Sequence, residues 1–246
     1  MVKAYKNEEF MMGEDARTLR ILAEYIEPQL RFRRLGILRS IIFFGSARLR
    51  ANPAEGLDYY SQAAQLAEQL ARWTIKTHAE GNRFHICSGG GPGIMEAAHL
   101  GAARVDRRLN VGLNISLPME QHVNNYIEEQ RAFEFHYFFM RKFWFKNLAH
   151  AMVVFPGGFG TMDELFEVLT LAQTGRGGDR IPIVLFGTEF WRSSVNFDDL
   201  ARRQLISPED LELFHLVDSV DSAYRYLIGE LGKEPRQADP ADLEAR

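Results

Sequence analysis

The residues best suited to joint chemistry in this chain are a run of glycines, a threonine hydroxyl, a glutamate and an arginine. Pro156-Gly157-Gly158-Phe159-Gly160-Thr161 follows an apolar run at 151–155 and precedes an amphipathic stretch. Gly157, Gly158 and Gly160 let backbone N–H groups approach an anion with no side chain in the way. A helix that follows would add unpaired donors and roughly half a positive charge. Thr161 adds a hydroxyl at the helix start. That combination reads as a phosphate-binding loop. Gly89-Gly90-Gly91-Pro92-Gly93 repeats the arrangement after a second apolar run at 84–88. The first of these along the chain, at 89–93, lacks the Gly-x-Gly-x-x-Gly spacing, and neither loop has the Lys-Ser/Thr pair of a P-loop, so a monophosphate is favoured over a dinucleotide or a magnesium nucleoside triphosphate. Glycines can also simply make tight strand-to-helix turns. Two such loops at equivalent places in one sheet argue for nucleotide binding.

Glu164 stands three residues after Thr161. Two roles fit it. Thr161-x-x-Glu164 has capping-box spacing, and the same carboxylate could lie beside the ribose of a bound nucleotide, orienting water and favouring positive charge at the anomeric carbon. Glu167, one turn on, could take either role. Arg141-Lys142 interrupts Phe138-Phe139-Met140 and Phe143-Trp144-Phe145, as a solvated helix face, as snorkelling side chains, or as cations of a site. Ser46, in Gly45-Ser46-Ala47, lacks the glycine pattern of a nucleophile elbow but can donate to a phosphate or sugar. The 7 histidines show no metal-ligand spacing, so no metal site is expected. Cys87 ends an apolar run and reads as an inert core thiol rather than a reactive one.

Alternating strands and helices must position these groups. Short apolar runs at 40–44, 84–88, 111–117, 151–155 and 181–186 predict strands, with a last strand-and-helix unit over 216–231. Amphipathic spacing predicts helices at 58–73, 94–105, 137–149, 162–174 and 190–204. This alternation implies an α/β, Rossmann-like, doubly wound parallel sheet with helices on both faces. Ahead of it, residues 14–38 carry Leu19, Leu22, Tyr25, Ile26 and Leu30 on one helical face, to pack on the core or on a second subunit. The chain divides into an N-terminal helical extension (1–38), a nucleotide-binding catalytic domain (39–231) and a polar tail (232–246) expected to be disordered. The 246 residues, 46% hydrophobic with a net charge of −4, offer no global attraction to nucleic acid or an anionic membrane. No run is long enough for a membrane span and the start lacks a signal's apolar core, so a cytoplasmic protein is expected. The aromatic residues at 137–145 and the extension suggest a homodimer or higher homo-oligomer, although core packing explains them nearly as well.

These residues resemble a known family. Residues 155–164, Phe-Pro-Gly-Gly-Phe-Gly-Thr-Met-Asp-Glu, match the PGGxGTxxE signature of the LONELY GUY (LOG) family, long labelled as possible lysine decarboxylases. Residues 89–95 look like its first glycine motif, and Phe43-Phe44-Gly45-Ser46 like its opening strand and turn. The resemblance spans residues 39–231; the extension before it departs from the shortest members. It implies hydrolysis of the N-glycosidic bond of a purine nucleoside 5′-monophosphate, such as AMP or a cytokinin nucleotide, to free base and ribose 5-phosphate, with no cofactor. It carries the family's catalytic arginine and glutamate onto Arg141 and Glu164. Phosphate and substrate contacts fall on Gly157, Gly158, Gly160 and Thr161, with Ser46, Gly90 and Lys142 nearby and Met95 at the base. The alternative is a non-catalytic nucleotide or molybdenum-cofactor binding protein of the same superfamily. A pyridoxal phosphate enzyme is disfavoured, since neither Lys142 nor Lys146 has a cofactor-anchoring context.

Overall fold

The computed structural model describes residues 2–52, 56–116, 123–175 and 180–233. Most of the expected tail, from 234 on, lies outside the described residues, as do Leu117 and His122. Among the described residues, seven parallel strands form one sheet: β1 (Arg39–Phe44), β2 (Phe84–Ser88), β3 (Asn110–Ile115), β4 (Ala132–Phe135), β5 (Ala149–Val154), β6 (Ile183–Phe186) and β7 (His215–Val217). Every residue of β1, β2, β5 and β6 is buried, as a sheet covered on both faces requires. Alternate side chains go to opposite sides. Ile42 and Phe44 join Trp144, Phe145, Leu165 and Trp191; Ile41 and Phe43 join Leu66, Leu70, Ile94 and Leu227.

The helices are α1 (Glu8–Met12), α2 (Arg17–Leu35), α3 (Tyr59–Thr77), α4 (Ile94–Ala103), α5 (Phe138–Leu148), α6 (Phe159–Gln173), α7 (Thr188–Ser194), α8 (Phe197–Arg202) and α9 (Val220–Leu231). α3, α4 and α9 cover one face of the sheet, and α2, α5, α6 and α7 the other. The expected doubly wound fold is present. Two elements differ from expectation. β4 is a short strand at the sheet edge that no apolar run announced. The single helix expected at 190–204 is two helices, because the Asn196 side chain accepts from Asp199 N at 2.9 Å and starts α8 afresh.

The spatial order is β4-β3-β2-β1-β5-β6-β7. The chain winds outward from β1 to β4, then crosses back to lay β5 on the other side of β1. The loops after β1 and β5 therefore leave in opposite directions, and a crevice opens between them at the carboxyl ends of the strands.

The extension is docked by an unusual helix interior. Pro28 lies inside α2 and has no N–H to offer the carbonyl of Glu24. The indole of Trp144, on α5, donates to that carbonyl instead, at 2.9 Å. The Glu24 carboxylate accepts from the N–H of His136 at 2.8 Å and of Tyr137 at 3.2 Å, the donors just ahead of α5. These bonds turn the Glu24–Pro28 side inward, with Ile21, Tyr25, Phe32 and Leu35 packed on the core. Only Tyr25 of the expected apolar stripe packs there. Leu19, Leu22, Ile26 and Leu30 point away from the core and are 45%, 48%, 48% and 57% exposed.

Candidate functional site

The crevice between β1 and β5 deepens into a cavity of about 730 Å³. Gly45, Ser46, Ala47 and Arg48 after β1 form one side, and the segment from Gly157 to Glu164 after β5 forms another. Met95 of α4, Phe138 and Arg141 of α5, and Phe190 and Ser194 of α7 complete the wall. Backbone bonds hold the two loops in register. Phe155 N donates to Phe44 O at 2.8 Å, Ser46 N to Pro156 O at 3.0 Å, and Ile94 N to Ser46 O at 3.1 Å.

The two glycine loops do different things. In the first, Gly90 and Gly93 have φ of +79° and +71°, and a Cβ on Gly90 would fall on Asn114 Oδ1 while one on Gly93 would strike the backbone of Ser46 and Ala47. These glycines make a turn and allow close packing, and Gly90 is not in the cavity wall. In the second loop, Gly157 is required, because a Cβ there would lie 2.1 Å from Thr161 Oγ1. Gly158 and Gly160 are not required: neither has a positive φ, and a Cβ on either would meet no protein atom. Gly160 even lies within α6, where glycine costs about 1 kcal/mol relative to alanine. What these two positions provide is bare backbone at the start of a 15-residue helix that has no side-chain cap, the arrangement that receives an anion.

α6 begins at Phe159, with Gly158 as its N-cap, three residues before the expected start at 162. Thr161 is thus inside the helix, and the capping box expected between Thr161 and Glu164 does not form. Glu164 lines the cavity and is only 8% exposed. Among the described residues, no group hydrogen bonds or ion pairs with its carboxylate. Burial is the largest influence on it and pushes its pKa up to about 7. Lys142 and Arg141 pull the other way, while Glu167 and Asp163 add to the rise.

Arg141 reaches the cavity from α5. Its Nε donates to Leu113 O at 2.9 Å, and its guanidinium carbon lies 5.2 Å from the centre of the Phe145 ring. It fits because residue 89 is glycine; a Cβ there would come within 2.8 Å of the guanidinium and 2.6 Å of Met95 Sδ. Lys142 is not in the cavity wall. Its ammonium bonds Asp163 at 2.8 Å and Glu167 at 2.9 Å, so the lysine clasps α5 to α6. Burial works against that charge, but the two carboxylates prevail and its pKa is raised. Glu167, the other carboxylate considered for the site, is held in this clasp.

Arg48, Phe138, Phe190 and Ser194 are wall residues that sequence reasoning passed over. Arg48 follows the Gly45-Ser46 turn, and its N–H donates to Ser46 Oγ at 3.1 Å. Its side chain is exposed and pairs with no carboxylate among the described residues. A free cation two residues beyond a strand-end turn was the available signal. Phe159, 96% exposed, stands at the mouth. Cys87 is fully buried, which pushes its thiol pKa up. His85 and His99 are buried with pKa values lowered to about 4, mainly by desolvation, and are neutral. Among the described residues, no cluster of three or more His, Cys, Asp or Glu could hold a metal ion, and no helix is long and apolar enough to cross a membrane.

A family model described as "Possible lysine decarboxylase" matches residues 95–227, more than half of the chain. The chain is similar to the cytokinin riboside 5′-monophosphate phosphoribohydrolase LOG7 of Arabidopsis thaliana, at 26% identity over 221 residues, covering 83% of this chain and 90% of that protein. Among solved structures, the X-ray structure of TM1055 aligns with a TM-score of 0.51 at 19% identity, covering 78% of this chain and 99% of its own. The molybdenum cofactor binding protein of the phototrophic bacterium Rippkaea orientalis aligns with a TM-score of 0.51 at 17% identity, covering 78% and 98%. At these identities the two structures bear on the fold alone.

Proposed function

The chain belongs to the LOG family, whose members carry the description possible lysine decarboxylase, and from that premise we propose that it hydrolyses the N-glycosidic bond of a purine nucleoside 5′-monophosphate. The observation that carries this reading is Glu164: a buried, unpartnered carboxylate about 4.5 Å along the α6 axis from Thr161, beside the bare start of the same helix. A protein that only held a nucleotide would need the anion cradle without that carboxylate.

In this scheme the 5′-phosphate sits on the backbone N–H groups at 158–161, with the Thr161 hydroxyl and Ser46 beside it. Binding there fixes the ribose against Glu164 and supplies orientation remote from the reacting bond. As the bond from C1′ to the base breaks, positive charge grows on the ribose and negative charge on the purine. Ionised Glu164 offsets the first and accepts a proton from the attacking water, whose oxygen bonds to C1′. Arg141, fixed on Leu113 O, stabilises the leaving base electrostatically; a guanidinium stays protonated and is no general acid. The proton ends on the departing base. No cofactor enters. Decarboxylation through pyridoxal phosphate is disfavoured further, since Lys142 is committed to Asp163 and Glu167.

The test is incubation with AMP, isopentenyladenosine monophosphate and adenosine, detecting base and ribose 5-phosphate. AMP is expected to turn over roughly 100-fold or more faster than adenosine, and Glu164→Gln to lower kcat by about 10³-fold. Equal turnover of AMP and adenosine, or full activity in Glu164→Gln, overturns the proposal. A nucleotide that binds and is recovered intact supports the binding protein instead.

A further inference from the structure

α5 carries Arg141 into the cavity, yet its own sequence does little to fix where it starts. Its N-cap is Tyr137, which makes no side-chain cap, its first turn holds no acidic residue, and Arg141 is its fourth residue. A cation so near the positive end of a helix is opposed by the helix dipole, and the N–H groups at that end need acceptors. α2 supplies them. Glu24 Oε1 accepts from the N–H of His136 at 2.8 Å, and Glu24 Oε2 from that of Tyr137 at 3.2 Å. The guanidinium of Arg17, also on α2, lies 5.6 Å from the centre of the Tyr137 ring and holds the same residue a second time.

The connection from there to Arg141 is short. Tyr137 O accepts from Met140 N at 3.1 Å and from Arg141 N at 3.2 Å, so a bond on each side of Tyr137 joins the Glu24 carboxylate to the backbone of Arg141. Trp144, whose indole donates to Glu24 O, stands three residues after Arg141 on the adjoining turn. Phe145, whose ring lies 5.2 Å from the guanidinium carbon, is next to it, and Phe138, first residue of α5, is in the cavity wall. Glu24 thus grips α5 at its start and one turn beyond Arg141.

We propose that Glu24 is a positioning residue for the reaction, a role that rests on the hydrolysis proposed above: its carboxylate fixes the start of α5 and so places the Arg141 guanidinium in the cavity. The N-terminal extension then belongs to the working site, although among the described residues none of it is in the cavity wall.

Hydrolysis of AMP by the full chain tests this. Glu24→Ala is expected to lower kcat roughly tenfold and to leave KM for AMP within about threefold of wild type, since the anion is received by α6. Glu24→Gln keeps one acceptor and loses the charge, and is expected to lower kcat only about threefold. In an Arg141→Ala background the same substitutions are expected to change kcat by less than about twofold, because their effect passes through the guanidinium. Damage to the fold at large would lower activity in both backgrounds. Equal losses with and without Arg141 therefore overturn the proposal, as does full activity in Glu24→Ala; Glu24→Gln carries the same comparison where Glu24→Ala does not fold. A readout that needs no substrate is the Nε–H resonance of Arg141 in proton–nitrogen NMR, identified by its loss in Arg141→Ala. Held on Leu113 O in the wild type, it is expected to shift and to exchange faster with water in Glu24→Gln, and an unmoved resonance overturns the placement. A wild type that releases no base overturns the hydrolase reading instead, and the resonance alone then decides whether Glu24 places Arg141.

Discussion

A carboxyl group that titrates near neutrality inside a cavity weakens the fold, and Glu164 is such a group. Its pKa in the folded chain, about 7, lies above the ordinary 4.5. It is protonated in both states at low pH, so its contribution to stability is intact there. As pH rises above about 4.5 the unfolded chain ionises while the folded one stays protonated until about 7, and up to about 3 kcal/mol is lost across that window. Glu164→Gln is therefore expected to be more stable than wild type by about 1–3 kcal/mol at pH 8, with the difference vanishing near pH 4, as read by denaturant unfolding at both. The same ionisation should make kcat/KM of the wild type rise with pH through about 7. Arg48 belongs at this scale too. With its free charge at the cavity, Arg48→Ala is expected to raise KM for AMP by roughly 5–20-fold, leave kcat nearly unchanged, and spare KM for adenosine. A similar change for both substrates would detach Arg48 from the phosphate. Glu164 and Arg141 could be singled out in the sequence, Glu164 by the glycine loop ahead of it and Arg141 as a charge interrupting an aromatic stretch, and both line the cavity. Arg48 was not, because an exposed arginine after a turn is ordinary until strand order puts that turn opposite α6.

At the scale of elements, local pattern located the strand-to-helix joints but misjudged how each is built. Thr161 and Glu164 have capping-box spacing, yet the flexible Gly157-Gly158 turn lets α6 begin at Phe159 and frees the carboxylate for the cavity. The first glycine loop looked like a second anion cradle; its glycines also answer a packing need, through left-handed turns and close contacts with neighbouring residues. Gly89 tests that distinction. Its φ suits any residue, and a Cβ there meets only the ends of Met95 and Arg141, so Gly89→Ala is expected to fold with stability within about 1 kcal/mol of wild type. By displacing Arg141 it should still lower kcat by roughly tenfold or more. Retained activity would show that Arg141 can work from another position. The outward face of α2 rests on a contact that local pattern does not hold: the apolar stripe is real, but Pro28 and Glu24 choose which side docks on the core, and that choice needs Trp144, 120 residues away in sequence.

For the whole molecule, βαβ alternation was enough to read a doubly wound sheet, and composition enough to expect that an anion is captured locally, given the net charge of −4. Strand order was not legible. β4 is four residues long, and the return of the chain to the far side of β1 is a long-range event with no local signature. The division at residue 38 also looks softer in three dimensions, since Phe32 and Ile37 share one core cluster with Trp144 and Met152. The extension and the sheet are accordingly expected to unfold together. Calorimetry and far-ultraviolet circular dichroism should give one coincident transition, and a separate early melting of helix would mean that the extension is an independent unit.

The bond from the Trp144 indole to the carbonyl that Pro28 leaves free carries one more consequence. An indole sealed from water emits in the ultraviolet at a shorter wavelength than one that becomes wet. Because Trp144 lies on the same helix as Arg141 and is sealed in part by α2, the chain carries an internal dye at the joint between its extension and its cavity. Any ligand, partner or substitution that lifts α2 from α5 would shift the Trp144 share of the emission, which a chain with Trp73 and Trp191 replaced by Phe would isolate with no label attached.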